Sequence, residues 1–259
     1  MKRIDCHVHP FLSIERTLAD AAQAEIQRQC VFGIGYDRDA VKPSDFTHPK
    51  PEAVSASNNL VREMISAHPD RISGLCFINP RERSHAIEEV TRCVLSGPFV
   101  GIKLWIARRV THPDVLALAE FAQTNRVPIL AHCWNKVGGN LDGESSTADI
   151  AELARLFPRL TILAAHVTGQ AERGVIEIAP YENVVVDTSG GDAEVGICEF
   201  ALSTLGARRI LFGSDYPTRA YPSSLARVIG CTGDEEALSC ILHRNFERLF
   251  LGPKGVLHD

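Results

Sequence analysis

Four short apolar runs in this 259-residue chain each end on side chains able to bind a metal or move a proton. They are Ile4-Asp5-Cys6-His7-Val8-His9, Pro128-Ile129-Leu130-Ala131-His132, Leu160-Thr161-Ile162-Leu163-Ala164-Ala165-His166 and Ile210-Leu211-Phe212-Gly213-Ser214-Asp215. Side chains alternate faces along a strand, so His7 and His9 point the same way. Two inward imidazoles with no ion between them would be costly to bury. With His132, His166 and Asp215 at matching strand ends, the donor set suits zinc or a neighbouring divalent transition ion and leaves a position for water. Asp5 shares the face of His7 and His9 by the same period. Asp187 ends Val184-Val185-Val186-Asp187 and either lines the site or caps a helix. Cys133 faces away from His132 by alternation and is not read as a nucleophile. His48, His68, His85, His112, His243 and His258 fall in loops or on helices and read as scaffold.

Residues so far apart in sequence converge only if a scaffold aligns the ends of their strands. Eight β-type runs occur near 4–8, 31–36, 72–78, 100–105, 128–133, 160–166, 184–188 and 210–215. Stripes of helical period lie between them at 13–30, 52–67, 84–95, 114–124, 147–157, 194–205 and 235–250. This alternation is α/β, and it predicts one (β/α)8 TIM barrel over residues 1–259 with its site at the C-terminal ends of the strands. A doubly wound open sheet shares the alternation. Ligands on first and last strands meet only in a closed sheet, which favours the barrel. Gly101, Ala164 and Gly213, two residues before Lys103, His166 and Asp215, are expected in the inward layer below the site.

Composition narrows the partners. A net charge of −5 with no Lys- or Arg-rich run argues against a nucleic-acid or membrane-surface role and makes a small-molecule substrate the default. The 8 cysteines contain no Cys-x-x-Cys pair and sit mostly in apolar segments, as reduced thiols of a cytoplasmic enzyme would. Met1-Lys2-Arg3 leads directly into a strand, and there is no run of 18 apolar residues, so neither an export signal nor a membrane span is expected. Assembly into a homo-oligomer is left open.

From Asp5-Cys6-His7-Val8-His9 through Ala131-His132, Ala165-His166 and Gly213-Ser214-Asp215-Tyr216-Pro217 to Asn245-Phe246-Glu247-Arg248-Leu249-Phe250, the chain resembles the amidohydrolase superfamily. Within it, the resemblance is to the amidohydrolase-2 group that includes aminocarboxymuconate semialdehyde decarboxylase. The resemblance implies that His7, His9, His132 and Asp215 hold the primary metal and that His166 acts on water or substrate. Lys103, in Val100-Gly101-Ile102-Lys103-Leu104-Trp105, is in some amidohydrolases carboxylated and bridges two metals. The alternative is an unmodified ammonium that neutralises a substrate carboxylate beside one ion, and this single-metal form is favoured.

Trp105, Arg108 and Arg109 after strand 4, Trp134, Asn135 and Lys136 after strand 5, and Arg219 after strand 8 fall in loops over the mouth. Lys103, Trp105, Trp134 and Arg219 are the expected substrate contacts, suited to a carboxylate-bearing molecule. The expected activity is hydrolysis of a small ester, lactone or amide by a metal-activated water, with Asp215 and His166 moving protons. Two alternatives remain: non-oxidative decarboxylation at the same site, and a barrel that binds metal or ligand without turnover.

Overall fold

A computed structural model describes residues 1–35, 47–191 and 195–252. Its strands are β1 (Ile4–Val8), β2 (Arg28–Val31), β3 (Ile72–Phe77), β4 (Gly101–Leu104), β5 (Ile129–Ala131), β6 (Ile162–Ala164), β7 (Val184–Asp187) and β8 (Ile210–Leu211). They lie side by side in chain order, each pair parallel. Backbone bonds join the ends of this sheet. Cys6 N–H donates to Phe212 O at 2.9 Å, Asp215 N–H to His7 O at 2.9 Å and His9 N–H to Tyr216 O at 2.8 Å. The sheet therefore closes, and the expected (β/α)8 barrel is the observed architecture.

The helices are α1 (Ile14–Gln23), α2 (Pro51–Ala67), α3 (Arg83–Val90), α4 (Pro113–Thr124), α5 (Thr147–Leu156), α6 (Val167–Ile178), α7 (Ile197–Leu205), α8 (Tyr221–Gly230) and α9 (Glu235–Ser239). Wide, π-type turns continue α3 through Thr91–Leu95 and follow α9 at Cys240–Arg244 and Glu247–Leu251. The starts of these helices obey local chemistry. Ser13 Oγ accepts from Arg16 N–H at α1, and Ser146 with Asp149 forms a reciprocal capping box at α5. Pro51 and Pro113 open α2 and α4, where the missing N–H costs nothing.

Strand side chains divide between two apolar layers, as the period of two requires. Val31, Cys76, Ile102, Ile129, Ala131, Ile162, Val184 and Ile210 pack outward against helix residues such as Val61, Val90, Leu118 and Ile150. Ile4, Cys6, Leu75, Leu130, Leu163, Val185 and Leu211 fill the barrel interior together with Phe246 and Phe250.

Several expectations are corrected. The second strand lies at Arg28–Val31 rather than 31–36, and position 36 is outside the described residues. Its polar start is masked in sequence because Arg28 bonds Ser73 Oγ at 3.0 Å and Gln29 donates to Tyr221 Oη at 2.6 Å. The helix expected over 13–30 stops at Gln23, since Glu25 turns into the left-handed region at φ 56° before β2. Helices α6 and α8 fall outside the expected stripes of helical period. Asp5 does not share the inward face of His7: the β1–β2 register shifts between Asp5 and Val8, Ile4 and Cys6 point inward, and Asp5 turns to Ser214. Ala164 packs outward with the helices rather than below His166.

Candidate metal centre

His7, His9 and Asp215 form the tightest group of the expected ligands. One nitrogen of each imidazole and one Asp215 oxygen lie within 4.8 Å of one another. Asp215 Oδ1 is 3.3 Å from His9 Nε2 and 3.6 Å from His7 Nε2. The other ring nitrogens are engaged elsewhere. His7 Nδ1 meets Asp187 Oδ2 at 2.9 Å, and His9 Nδ1 meets the Phe32 carbonyl at 3.2 Å. A proton on each Nδ1 leaves the Nε2 lone pairs facing Asp215, the tautomer and orientation a metal-binding histidine needs. His7 Nε2 is buried and has no hydrogen-bond partner among the described residues. A divalent ion at this point would satisfy it, so the donor set fits the group.

Local backbone conformation aims these groups. Asp215 lies at φ 65°, and its N–H bonds His7 O across the seam of the barrel. Gly213 leaves room there, since a Cβ would stand 3.1 Å from His7 Cβ and 3.2 Å from Asp187 Cβ. His166 lies at φ 66°; following the outward Ala164, it would point outward by alternation, and the left-handed turn brings it inside. Such a conformation costs about 1–2 kcal/mol in an L-residue and is held only where surrounding contacts demand it.

His166 and His132 form a second group beside the first. His166 Nε2 lies 3.1 Å from His132 Nδ1, and Ser189 Oγ lies 2.8 Å from His166 Nδ1. Asp187 ties both groups together: it meets His7, accepts from His166 N–H at 3.0 Å and from Ser189 N–H at 2.9 Å, and bonds the Ser189 hydroxyl. His132 is thus placed across His166 from the His7–His9–Asp215 group, with its Nε2 turned to Glu144 Oε1 at 2.9 Å. Glu144 Oε2 in turn accepts from Lys136 Nζ at 2.7 Å. Glu144 and Ser189 stand outside the set of residues expected from the sequence. Glu144 lies in the loop after β5, beside Gly143, where any Cβ would fall 1.9 Å from Ile106 O.

Lys103 is fully buried on β4, with its ammonium 4.8 Å from the centre of the Phe32 ring. No hydrogen bond or ion pair to its ammonium is found among the described residues. Burial pushes it down to about 8, against the pull of Asp187 and Asp215. Burial lowers His7 and His166, and neighbouring positive groups lower them further. For Asp215, burial acts upward, but the facing His9, His7 and Lys103 hold it below the usual carboxylate range. Asp5 is raised to about 7 by burial.

Aromatic rings wall the mouth. Phe11 stacks on His9 at 5.0 Å, and Phe32 meets His7 and His9 edge-on at 4.9 and 5.0 Å. Trp134 stacks against His132 at 6.3 Å, over Gly169, where a Cβ would lie 2.5 Å from its ring. Trp105 and Phe11 each pack against the cluster of Ile34, Val54 and Phe77. Arg219 sits one turn beyond Asp215, its N–H bonded to Asp215 O at 3.2 Å. Cys133 faces outward as expected.

A family model described as Amidohydrolase matches residues 4–251. The chain belongs to the amidohydrolase family. No curated protein matches this amidohydrolase in sequence. Among solved structures, 2,6-dihydroxybenzoate decarboxylase from Rhizobium is similar at 17% identity and TM-score 0.77, over 97% of this chain and 99% of that one. 5-Carboxyvanillate decarboxylase from Sphingomonas paucimobilis is similar at 15% identity and TM-score 0.71, over 93% of this chain and 83% of that one. A dihydroxybenzoic acid decarboxylase from Polaromonas, with bound manganese and the inhibitor 2-nitroresorcinol, is similar at 16% identity and TM-score 0.74, over 96% and 97%. No helix among the described residues is long and apolar enough to cross a membrane.

Proposed function

We propose that this amidohydrolase is a divalent-metal-dependent, non-oxidative decarboxylase of a small, ring-bearing carboxylate. The observation that carries the reading is Lys103, a buried ammonium facing the Phe32 ring with no anionic partner among the described residues. A ring offsets only about 0.5–2 kcal/mol of the cost of burying a charge. With one divalent ion, Asp187, Asp215 and Lys103, the site carries a net charge of about +1, and an anionic substrate completes it.

His7, His9 and Asp215 would hold the ion, with His132 and His166 adjoining. Once bound, the ion would draw electron density from the substrate's oxygens. Zinc suits the imidazole donors, and the manganese of the Polaromonas relative makes that ion an equal candidate. The neighbours named for dihydroxybenzoates and carboxyvanillate support a hydroxylated aromatic acid.

In the walled slot, a charged carboxylate is poorly solvated and leaves more readily as neutral carbon dioxide. The negative charge then spreads over the ring and its oxygens, within the field of Lys103. Carbon must take up one proton per turnover. Asp215 and His166 would hand it over, each protonated only transiently, and His166–His132–Glu144–Lys136 is a hydrogen-bonded path to the surface. Hydrolysis by the same groups is the competing outcome. The test incubates manganese- or zinc-loaded protein in D2O with hydroxybenzoates and, separately, with aryl esters and lactones. Carbon dioxide release with deuterium at the vacated ring carbon is expected; ester cleavage with no carbon dioxide from any acid would replace this reading with the hydrolytic one.

A further inference from the structure

Outside the barrel mouth, between α2, β3 and α3, a second set of metal-binding atoms is gathered. Cys76 on β3, Cys93 in the wide turn after α3 and Glu89 on α3 place two sulfurs and one carboxylate oxygen within 4.8 Å of one another. Both cysteines are fully buried, and Glu89 is 4% exposed. Six of the cysteines in this chain are buried, so burial alone singles out nothing. What sets Cys76 and Cys93 apart is the shared carboxylate.

We propose that Cys76, Cys93 and Glu89 bind one soft or borderline divalent ion of the zinc or cadmium class, separate from the barrel site. Around a tetrahedral ion with Zn–S of about 2.3 Å and Zn–O of about 2.0 Å, neighbouring donors stand about 3.5–3.8 Å apart. Cys93 Sγ stands 3.9 Å from Glu89 Oε2.

The surroundings hold the carboxylate in place as outer partners of a metal ligand do. Arg92 donates to both Glu89 oxygens at 2.9 and 2.8 Å, Asn58 Nδ2 to Oε2 at 2.7 Å and Ser55 Oγ to Oε1 at 3.2 Å. Asn58 is itself fixed to β3, accepting from Phe77 N–H at 2.9 Å and donating to Phe77 O at 2.9 Å. Charge closes as well. Two thiolates and Glu89 bring three negative charges, and the ion with Arg92 brings three positive ones. Binding converts two thiols to thiolates, so two protons leave for each ion that enters. Burial, helped by a thiol–thiol hydrogen bond, raises Cys76, and that same hydrogen bond lowers Cys93, so the two thiols are already set apart. Such an ion would pin the end of α3 to the outer face of β3.

The test titrates the chelator-stripped full-length protein with cadmium, following the ultraviolet thiolate-to-cadmium band, which an imidazole–carboxylate site does not produce, and proton release in weak buffer. A band accompanied by about two protons per ion is expected. It should persist in Asp215→Ala, and affinity should fall by more than the roughly 10–100-fold typical of an outer-partner loss in Cys93→Ser and Cys76→Ser. A band unchanged in Cys93→Ser, or no band in the wild-type protein, would overturn the proposal. Cadmium NMR of the wild-type protein covers a variant that fails to fold: a sulfur-ligated resonance beside the barrel resonance supports the site, and its absence refutes it.

Discussion

Single side chains at the barrel mouth divide into those that hold an ion and those that meet the substrate, and substitutions should separate them. His7→Ala, His9→Ala and Asp215→Ala each take a donor from the same three-atom group, so each should lose bound metal by elemental analysis. Full occupancy in all three would refute the assignment. Lys103→Met leaves those donors in place. It should retain metal while raising KM for an anionic substrate at least about tenfold, because a charge-assisted bond is lost. Lys103 also predicts a pH effect on stability. Its folded value of about 8 lies below the ordinary lysine value of 10.5, so between them the unfolded chain binds more protons than the folded one. Stability should therefore rise with pH through that window, and the metal-free Lys103→Met protein, compared by denaturant titration, should lack the rise.

Elements decide where those side chains point, and here the sequence was legible unevenly. Strands whose apolar residues run to the ligand, such as Ile129–Ala131 before His132 and Val184–Asp187, were found because nothing polar interrupts them. β2 departs from its expected span because its first two residues are polar, and α8 is hard to read because Pro222, Ser223 and Ser224 resemble a loop. α6 was hidden by Gly169 and Gly174 and by Ala171 at φ 56°, which breaks its helical period. Asp5 was assigned to the wrong face because a register shift cancels alternation, and no sequence pattern announces one. His166 reaches the site by the opposite route, through a backbone twist that alternation does not foresee. That twist leans on Gly190, at φ 82°, where a Cβ would stand 2.7 Å from His166 Cβ. Gly190→Ala should therefore lower the unfolding midpoint and reduce kcat while metal content stays at the wild-type level. Unchanged turnover would show that His166 needs no such support.

At the scale of the whole molecule, the ligands span the one place where the sheet must join itself. His7 and His9 belong to β1 and the segment just beyond it, whereas Asp215 follows β8. Among the described residues, the backbone bonds that cross that seam include Cys6 to Phe212, Asp215 to His7 and His9 to Tyr216. An ion held by His7, His9 and Asp215 would act as a further link between the first and last strands, present only in the folded state. Its contribution to stability grows with concentration as RT ln(1 + [M]/Kd), about 2.7 kcal/mol at a hundredfold excess over Kd. Chelation should therefore lower the unfolding midpoint, and readdition of zinc or manganese should restore it. The His7→Ala protein should show almost none of this increment. The loss should also be local before it is global. Hydrogen exchange of the Cys6, His9 and Asp215 amides should quicken in the stripped protein well before that of Ile102 and Ile129, whose amide bonds join β4 to β5 and β5 to β6 away from the seam. Uniform loss of protection around the barrel would mean that the ion stabilises the fold without acting as its clasp.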